Sequence, residues 1–290
     1  MDNNQEPFIL KPNAVLERSL LETESLRNES LECLRDSTEG LTFEPERHRY
    51  FLGGREMHSV SSVVEYFAPF DSMDKAIRAS KNPKHELFGK DPEEIVAIWE
   101  GRGAEAASAG TDIHAFGEAC FLYLTGHPEE IEEQFKDRVT PDGLLAVEPK
   151  EVAAALWWSC QDWARYVPVA KENRVVNPSL GYAGTFDLLL YDRYNLGFLL
   201  KDYKTNKDLF RWFKEYLLPP LTMLKRNSIG EYTVQQTLYT IQLRNIGFRV
   251  IGNELIWLKE YQNQCVPLDM QYDKVVAYAA KLFKENKSNN

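Results

Sequence analysis

Asp187, Asp202 and Lys204 are the residues of this 290-residue chain whose types and spacing could do chemistry together. They lie in the stretch GTFDLLLYDRYNLGFLLKDYKT, residues 184–205, where two apolar runs flank a polar centre, Asp192-Arg193-Tyr194-Asn195. That pattern predicts an antiparallel hairpin. A turn centred between Tyr194 and Asn195 would set Asp187 directly across from Asp202, with Cβ atoms roughly 5 Å apart. Lys204, two residues beyond Asp202, would project to the same face. A bulge or a shifted turn would break the opposition. Two carboxylates facing each other on apolar strands repel and are costly to bury unpaired. A hard divalent cation resolves the conflict, because Mg2+ favours carboxylate oxygens. Such an ion can polarise a phosphate oxygen and lower the pKa of a bound water. A nearby ammonium can orient the attacking water and offset negative charge in the transition state. The competing reading is an Asp/Lys salt-bridge ladder on a solvent face, so the neighbouring residues decide.

Gly184 precedes Asp187 in the compact run Gly181-Tyr182-Ala183-Gly184, where small residues would let another group approach the strand closely. His114 lies four residues after Gly110, and Glu118 follows one turn later on the same helix face. Imidazole is a plausible further ligand, whereas Glu118 reads more simply as a solvent-facing charge. Gln235 and Tyr239 share a face within EYTVQQTLYTIQL, where an amide and a phenol could contact a substrate backbone. Tyr232 and Gln242 sit in the same pattern and could be read the same way. From Lys201 to Arg226 seven basic residues meet three acids, a local excess of positive charge in a chain of net charge −10. A solvated helix face explains such a cluster equally well.

The elements that must position these groups follow from periodicity. Residues 14–36 read as an acidic amphipathic helix. Residues 41–57, with Gly53-Gly54, read as a β-hairpin, and Ser62-Val63-Val64-Glu65 resembles a capping box that starts a short helix. Asp91-Pro92 is a helix start, and that helix is expected to run past Trp99. Gly110-Thr111 would open a new helix over 111–125, closed by Gly126. Further helices are expected at 149–166, 207–217, 230–245 and 271–285. Strands are expected at 172–178, 184–191, 197–204 and 248–258. Strands clustered between helices predict an α+β or mixed α/β domain with an antiparallel hairpin at its centre.

Composition sets outer limits. Hydrophobic residues make up 43% of the chain, ordinary for a globular protein. No apolar run approaches the roughly 20 residues that span a bilayer, and MDNNQEPFIL does not read as a secretory signal. A cytoplasmic protein with no membrane partner is the default. The negative charge argues against a protein that coats nucleic acid through a uniformly basic surface. It leaves room for an enzyme with an acidic metal site and a local basic channel. Cys33, Cys120, Cys160 and Cys265 are widely spaced, with no C-x2-C pair, so buried free thiols are expected rather than a zinc or redox motif.

Four motifs occur in order: Gly-Thr-Asp-Ile-His (110–114), Gly-Thr-Phe-Asp (184–187), Asp-Tyr-Lys (202–204) and Gln-Gln-Thr-Leu-Tyr (235–239). Together they resemble the PD-(D/E)XK nuclease superfamily, specifically its RecB-like exonuclease branch, over about residues 110–260. Residues 48–66 are similar to the entry region of phage exonucleases and of mitochondrial genome maintenance exonucleases. The resemblance implies a restriction-endonuclease-like core, a central mixed β-sheet flanked by helices. An acidic helical extension (1–40) and hairpin additions would precede that core within a nuclease domain covering 41–290.

It also implies His114, Asp187, Asp202 and the backbone carbonyl of Tyr203 as ligands of Mg2+ or Mn2+, and Lys204 as the catalytic lysine. Gln235 and Tyr239 match a helix that helps position DNA, and Glu172 stands where many relatives place an acid. Some relatives hold an iron–sulfur cluster through one early and three late cysteines; only Cys265 is late here, so no such cluster is expected. The implied function is metal-dependent hydrolysis of DNA, with exonuclease preferred over a structure-specific or restriction-type endonuclease. An inactive nuclease fold that grips DNA is the binding alternative. The implied partners are single- or double-stranded DNA ends and a helicase or recombination protein, in a bacterial or phage-infected cell.

Overall fold

The computed structural model describes residues 7–212 and 214–288. The chain begins with a short strand, β1 (Phe8–Leu10), and two helices, α1 (Ala14–Glu22) and α2 (Glu24–Ser37). The predicted single helix over 14–36 is therefore broken at Thr23, whose hydroxyl turns back onto the Ser19 carbonyl at 2.7 Å. Such a back-bond competes with the helical ladder. Leu16 and Leu34 are fully buried in two different cores, so the 1–40 segment packs on the domain; its first six residues lie outside the described ones.

The expected hairpin over 41–57 is a three-stranded meander, β2 (Leu41–Glu44), β3 (Arg49–Leu52) and β4 (Arg55–Ser59), with Gly53 and Gly54 both at positive φ in the second turn. Helix α3 (Val60–Phe67) starts earlier than the Ser62 motif suggested. Ser59 is its cap, its hydroxyl accepting the Ser62 amide at 3.0 Å. Helix α4 (Ser72–Lys81) was not anticipated.

Helix α5 (Pro92–Leu124) starts as predicted, capped by the Asp91 carboxylate with Pro92 in the first turn. It does not break at Gly110. One continuous helix of 33 residues replaces the two expected, and it ends before Gly126 at positive φ. A glycine in a helix interior costs about 1 kcal/mol relative to alanine, which the packing of Ile113, Phe116, Cys120 and Leu124 outweighs.

Strands β5 (Val139–Thr140) and β6 (Gly143–Ala146) join β1 in a small separate sheet. Helix α6 (Pro149–Ser159) is shorter than the predicted 149–166, because strand β7 (Tyr166–Asn177) needs the residues after Trp163. Then come β8 (Tyr182–Asp192), β9 (Gly197–Lys204), α7 (Ser228–Asn245), β10 (Val250–Lys259), β11 (Gln262–Leu268) and α8 (Asp273–Ser288). Among the described residues of 207–217 the expected helix does not form. Residues 205–227 form an irregular connection, in which Phe213 lies outside the described residues. Lys214 at positive φ is incompatible with continuous helix there.

The result is a mixed α/β architecture, with 46% of the described residues helical and 26% in strands. The large sheet runs β11-β10-β9-β8-β4-β3-β2, with β7 also paired to β8. Strands β7, β8 and β9 are mutually antiparallel where they pair. The β9–β10 pair is parallel, and α7 makes the crossover that a parallel pair requires. Side-chain alternation sends Leu188, Leu190, Leu199 and Tyr203 to a core under α5 and α6, and Leu189 and Leu200 to a second core under α3, α7 and α8. Among the described residues no helix is long and apolar enough to cross a membrane.

Candidate metal centre

The central hairpin has the register its sequence predicts. Leu188 pairs with Lys201, Leu189 with Leu200 and Asp192 with Gly197. Continued by one residue, that register opposes Asp187 to Asp202. The turn is fixed by Asp192, whose buried carboxylate accepts the amides of Tyr194 at 2.9 Å and Asn195 at 3.0 Å. Arg165 holds the same carboxylate as an ion pair at 2.7 Å. Burial works against that charge, but the Arg165 guanidinium and the Asn195 and Tyr194 donors outweigh it and lower the Asp192 pKa to about 2.

The other neighbour of β8 supplies a third acid. Lys171 pairs with Leu188 and Asn173 with Phe186, which brackets Glu172 opposite Asp187. Glu172 sits at φ +39°, a left-handed conformation that non-glycine residues adopt at a cost of order 1–3 kcal/mol. Three carboxylates, Glu172, Asp187 and Asp202, therefore occupy one row across β7, β8 and β9.

Asp187 is the hub of this row. Its Oδ2 accepts the Tyr203 amide at 2.7 Å and stands 3.1 Å from His114 Nδ1. The same imidazole nitrogen is 4.0 Å from Glu172 Oε1. Ligand atoms of His114, Glu172 and Asp187 all lie within 4.8 Å of one another. Asp202 stands outside that tight group. Its Oδ1 accepts Gln236 Nε2 at 2.9 Å, and Oδ2 faces the Lys204 ammonium as an ion pair. The Lys204 ammonium also lies 4.4 Å from the centroid of the Tyr232 ring.

Electrostatics divide the acids. Burial and the Asp187 charge push the Glu172 carboxyl up to about 8. Burial and Asp187 likewise raise Asp202 to about 6, against the pull of Lys204. Asp187 is itself buried, yet His114, Lys204 and the Tyr203 amide hold its carboxyl below the ordinary value. Burial opposes charge on His114, but the adjacent Asp187 carboxylate raises the imidazole to about 9. Burial also opposes charge on Lys204, and Asp202 and Asp187 more than restore it, so its pKa lies above the usual value. Crowded acids that share protons with a histidine and a lysine form a donor set suited to a hard cation.

Two glycines make the geometry possible. A Cβ on Gly184 would lie 2.7 Å from Tyr239 Cε1, so the close approach read from the sequence is the packing of Tyr239. A Cβ on Gly117 would lie 2.6 Å from the Tyr203 ring, whose hydroxyl accepts Trp158 Nε1 at 2.9 Å.

The structure brings together Asp187, Asp202, Lys204, His114, Glu172 and, through its amide, Tyr203. Gln235 and Tyr239 line the same cleft as His114 and Glu172, with Gln235 Nε2 3.5 Å from the Tyr239 hydroxyl. Glu118 also borders that cleft but is ion-paired to Lys171 at 2.6 Å, so it is neither solvent-facing alone nor in the tight ligand group. Gln236, fully buried against Asp202, was missed; the Gln-Gln pair was visible, but only helix phase tells which amide faces the strand. The basic excess of 201–226 is partly consumed: Lys201 pairs with Glu254 and Arg226 with Glu215. The expectation of four buried thiols holds only for Cys120: Cys33 is half-buried, and Cys160 and Cys265 are exposed; all four cysteines are free. No family model matches the chain, and no curated protein matches it.

Proposed function

We propose that the protein is a metal-dependent nuclease that hydrolyses DNA phosphodiester bonds, with end-directed digestion as the preferred mode. The observation that carries this reading is the row Glu172–Asp187–Asp202, flanked by His114 and Lys204 at the edge of an open cleft. A structural salt-bridge ladder would match acids to bases, whereas here three carboxylates meet one histidine and one lysine.

The residues fit a divalent ion. His114 Nδ1, Glu172 and Asp187 offer converging atoms, and the buried Asp202 carboxylate continues their row with its Oδ2 facing the Lys204 ammonium. These groups, with the Tyr203 carbonyl, would hold Mg2+ or Mn2+, which supplies an activated water and charge neutralisation at phosphate. Lys204 keeps a fixed positive charge beside Asp202, suited to offsetting charge that builds on a phosphate oxygen. Asp187 is itself oriented by the Tyr203 amide. Gln235 and Tyr239 present an amide and a phenol to the cleft for a substrate backbone.

The test is digestion of end-labelled single- and double-stranded DNA with Mg2+ or Mn2+, linear against circular. Linear substrates are expected to shorten from their ends while circles persist. Nicking of circles would move the reading to an endonuclease, and binding without cleavage would make the fold an inactive DNA-binding one.

A further inference from the structure

Two clefts meet at His114, and their walls differ in charge. The first, about 740 Å3, is bordered by Glu118, Glu132 and Glu172. The second, about 960 Å3, is bordered by Lys150, Lys204, Lys207 and Lys259, with Glu260 as its carboxylate. Ala107 and Gly110 of α5 belong to both, so the helix passes between them on small residues. Lys204 is committed to Asp202. Lys150 and Lys259 are held otherwise: Lys150 donates to the Thr205 carbonyl at 3.4 Å, and the Lys259 ammonium lies 3.7 Å from the Trp257 ring centroid.

We infer that the lysine cleft is the binding arm for the sugar-phosphate backbone leading to the scissile bond. This rests on the nuclease reading above. A polyanion approaching a chain of net charge −10 needs a local basic wall. The second cleft supplies one and opens directly on Lys204 and His114. The first cleft is lined by no lysine or arginine among the described residues, so the charge able to hold backbone phosphates lies on the second wall.

The test measures binding of an oligonucleotide in Ca2+ as a function of salt, and KM and kcat in Mn2+, for the full chain. Each phosphate that a lysine neutralises adds ~0.7 to the steepness of log K against log salt for a single strand. The double variant Lys150→Ala/Lys259→Ala should therefore flatten that slope by ~1.4 and raise KM more than it lowers kcat. Lys281→Ala on α8, remote from the cleft and equal in charge per site, should leave the slope unchanged. An unchanged slope in the double variant, or an equal effect from Lys281→Ala, overturns the inference. Hydrolysis of a small chromogenic phosphodiester by the wild-type protein checks the underlying reading separately. If that substrate is cleaved while the slope stays unchanged, the nuclease reading stands and only the binding arm is wrong; if neither substrate is cleaved, both fall.

Discussion

Gln236 donates from Nε2 to Oδ1 of Asp202 at 2.9 Å, with both side chains buried between α7 and the central strands. The amide fixes one oxygen of Asp202 and leaves the other facing Lys204. Gln236→Ala should lower Mn2+ affinity or turnover by about 10- to 100-fold, the usual effect of removing a partner that orients a ligand. Gln236→Glu should be worse, because it adds a carboxyl to an already acidic row. Calorimetric titration with Mn2+ checks both; an unaltered affinity in the alanine variant would show that Asp202 needs no orienting partner.

Glu172 carries two costs in the metal-free protein, a left-handed backbone and a carboxylate beside Asp187. Glu172→Gly removes both and should raise the melting temperature without metal, by an amount of order 1–3 kcal/mol in stability. The same variant should lose much of the stabilisation that Mn2+ gives the wild type. Thermal unfolding with and without Mn2+ reads both effects. A lowered metal-free melting temperature would mean that Glu172 is a structural residue.

Gly184→Ala places a methyl 2.7 Å from the Tyr239 ring. Overpacking of this kind typically costs about 1–3 kcal/mol, and the ring must shift to relieve it. Denaturant unfolding should show a lower midpoint at unchanged slope. Full stability in this variant would contradict the tight approach of α7 to β8.

Asp192 ties acid stability to the hairpin that opposes the two aspartates. Its folded pKa of about 2 lies below its ordinary value of 3.8. The stabilising contribution is thus complete above the unfolded value and is lost as pH falls through the folded one. The shift corresponds to about 2 kcal/mol. Asp192→Asn should flatten the loss of stability between about pH 4 and pH 2, measured by denaturant unfolding at each pH. An identical pH profile in the variant would remove Asp192 from the account.

Much of the centre was legible because antiparallel pairing is simple arithmetic. A polar turn between two apolar runs fixed which residues of β8 and β9 face each other, and Asp187, Asp202 and Lys204 followed. His114 was found by its motif, although the helix bearing it was misread: Gly110 signals a break locally, while burial of the following apolar face keeps α5 continuous. The role of Glu172 opposite Asp187 follows from the same arithmetic, because the tight turn over 178–181 pairs Asn177 with Tyr182 and so 172 with 187; it was missed because residues 181–184 read as a bend rather than as the end of a hairpin turn. Strand β11 and helix α4 escaped for a different reason: Gln262–Leu268 is a largely exposed edge strand with little apolar pattern, and α4 buries only Ala76 and Ala79.

The most direct measurement is the initial rate of release of labelled nucleotides from linear DNA in Mn2+, for the wild type and for Asp187→Ala, Asp202→Ala and Lys204→Ala, each also in excess EDTA. The account predicts cleavage by the wild type that EDTA abolishes and that each variant reduces by at least about 100-fold. Cleavage that persists in EDTA, or that survives all three substitutions, would contradict it.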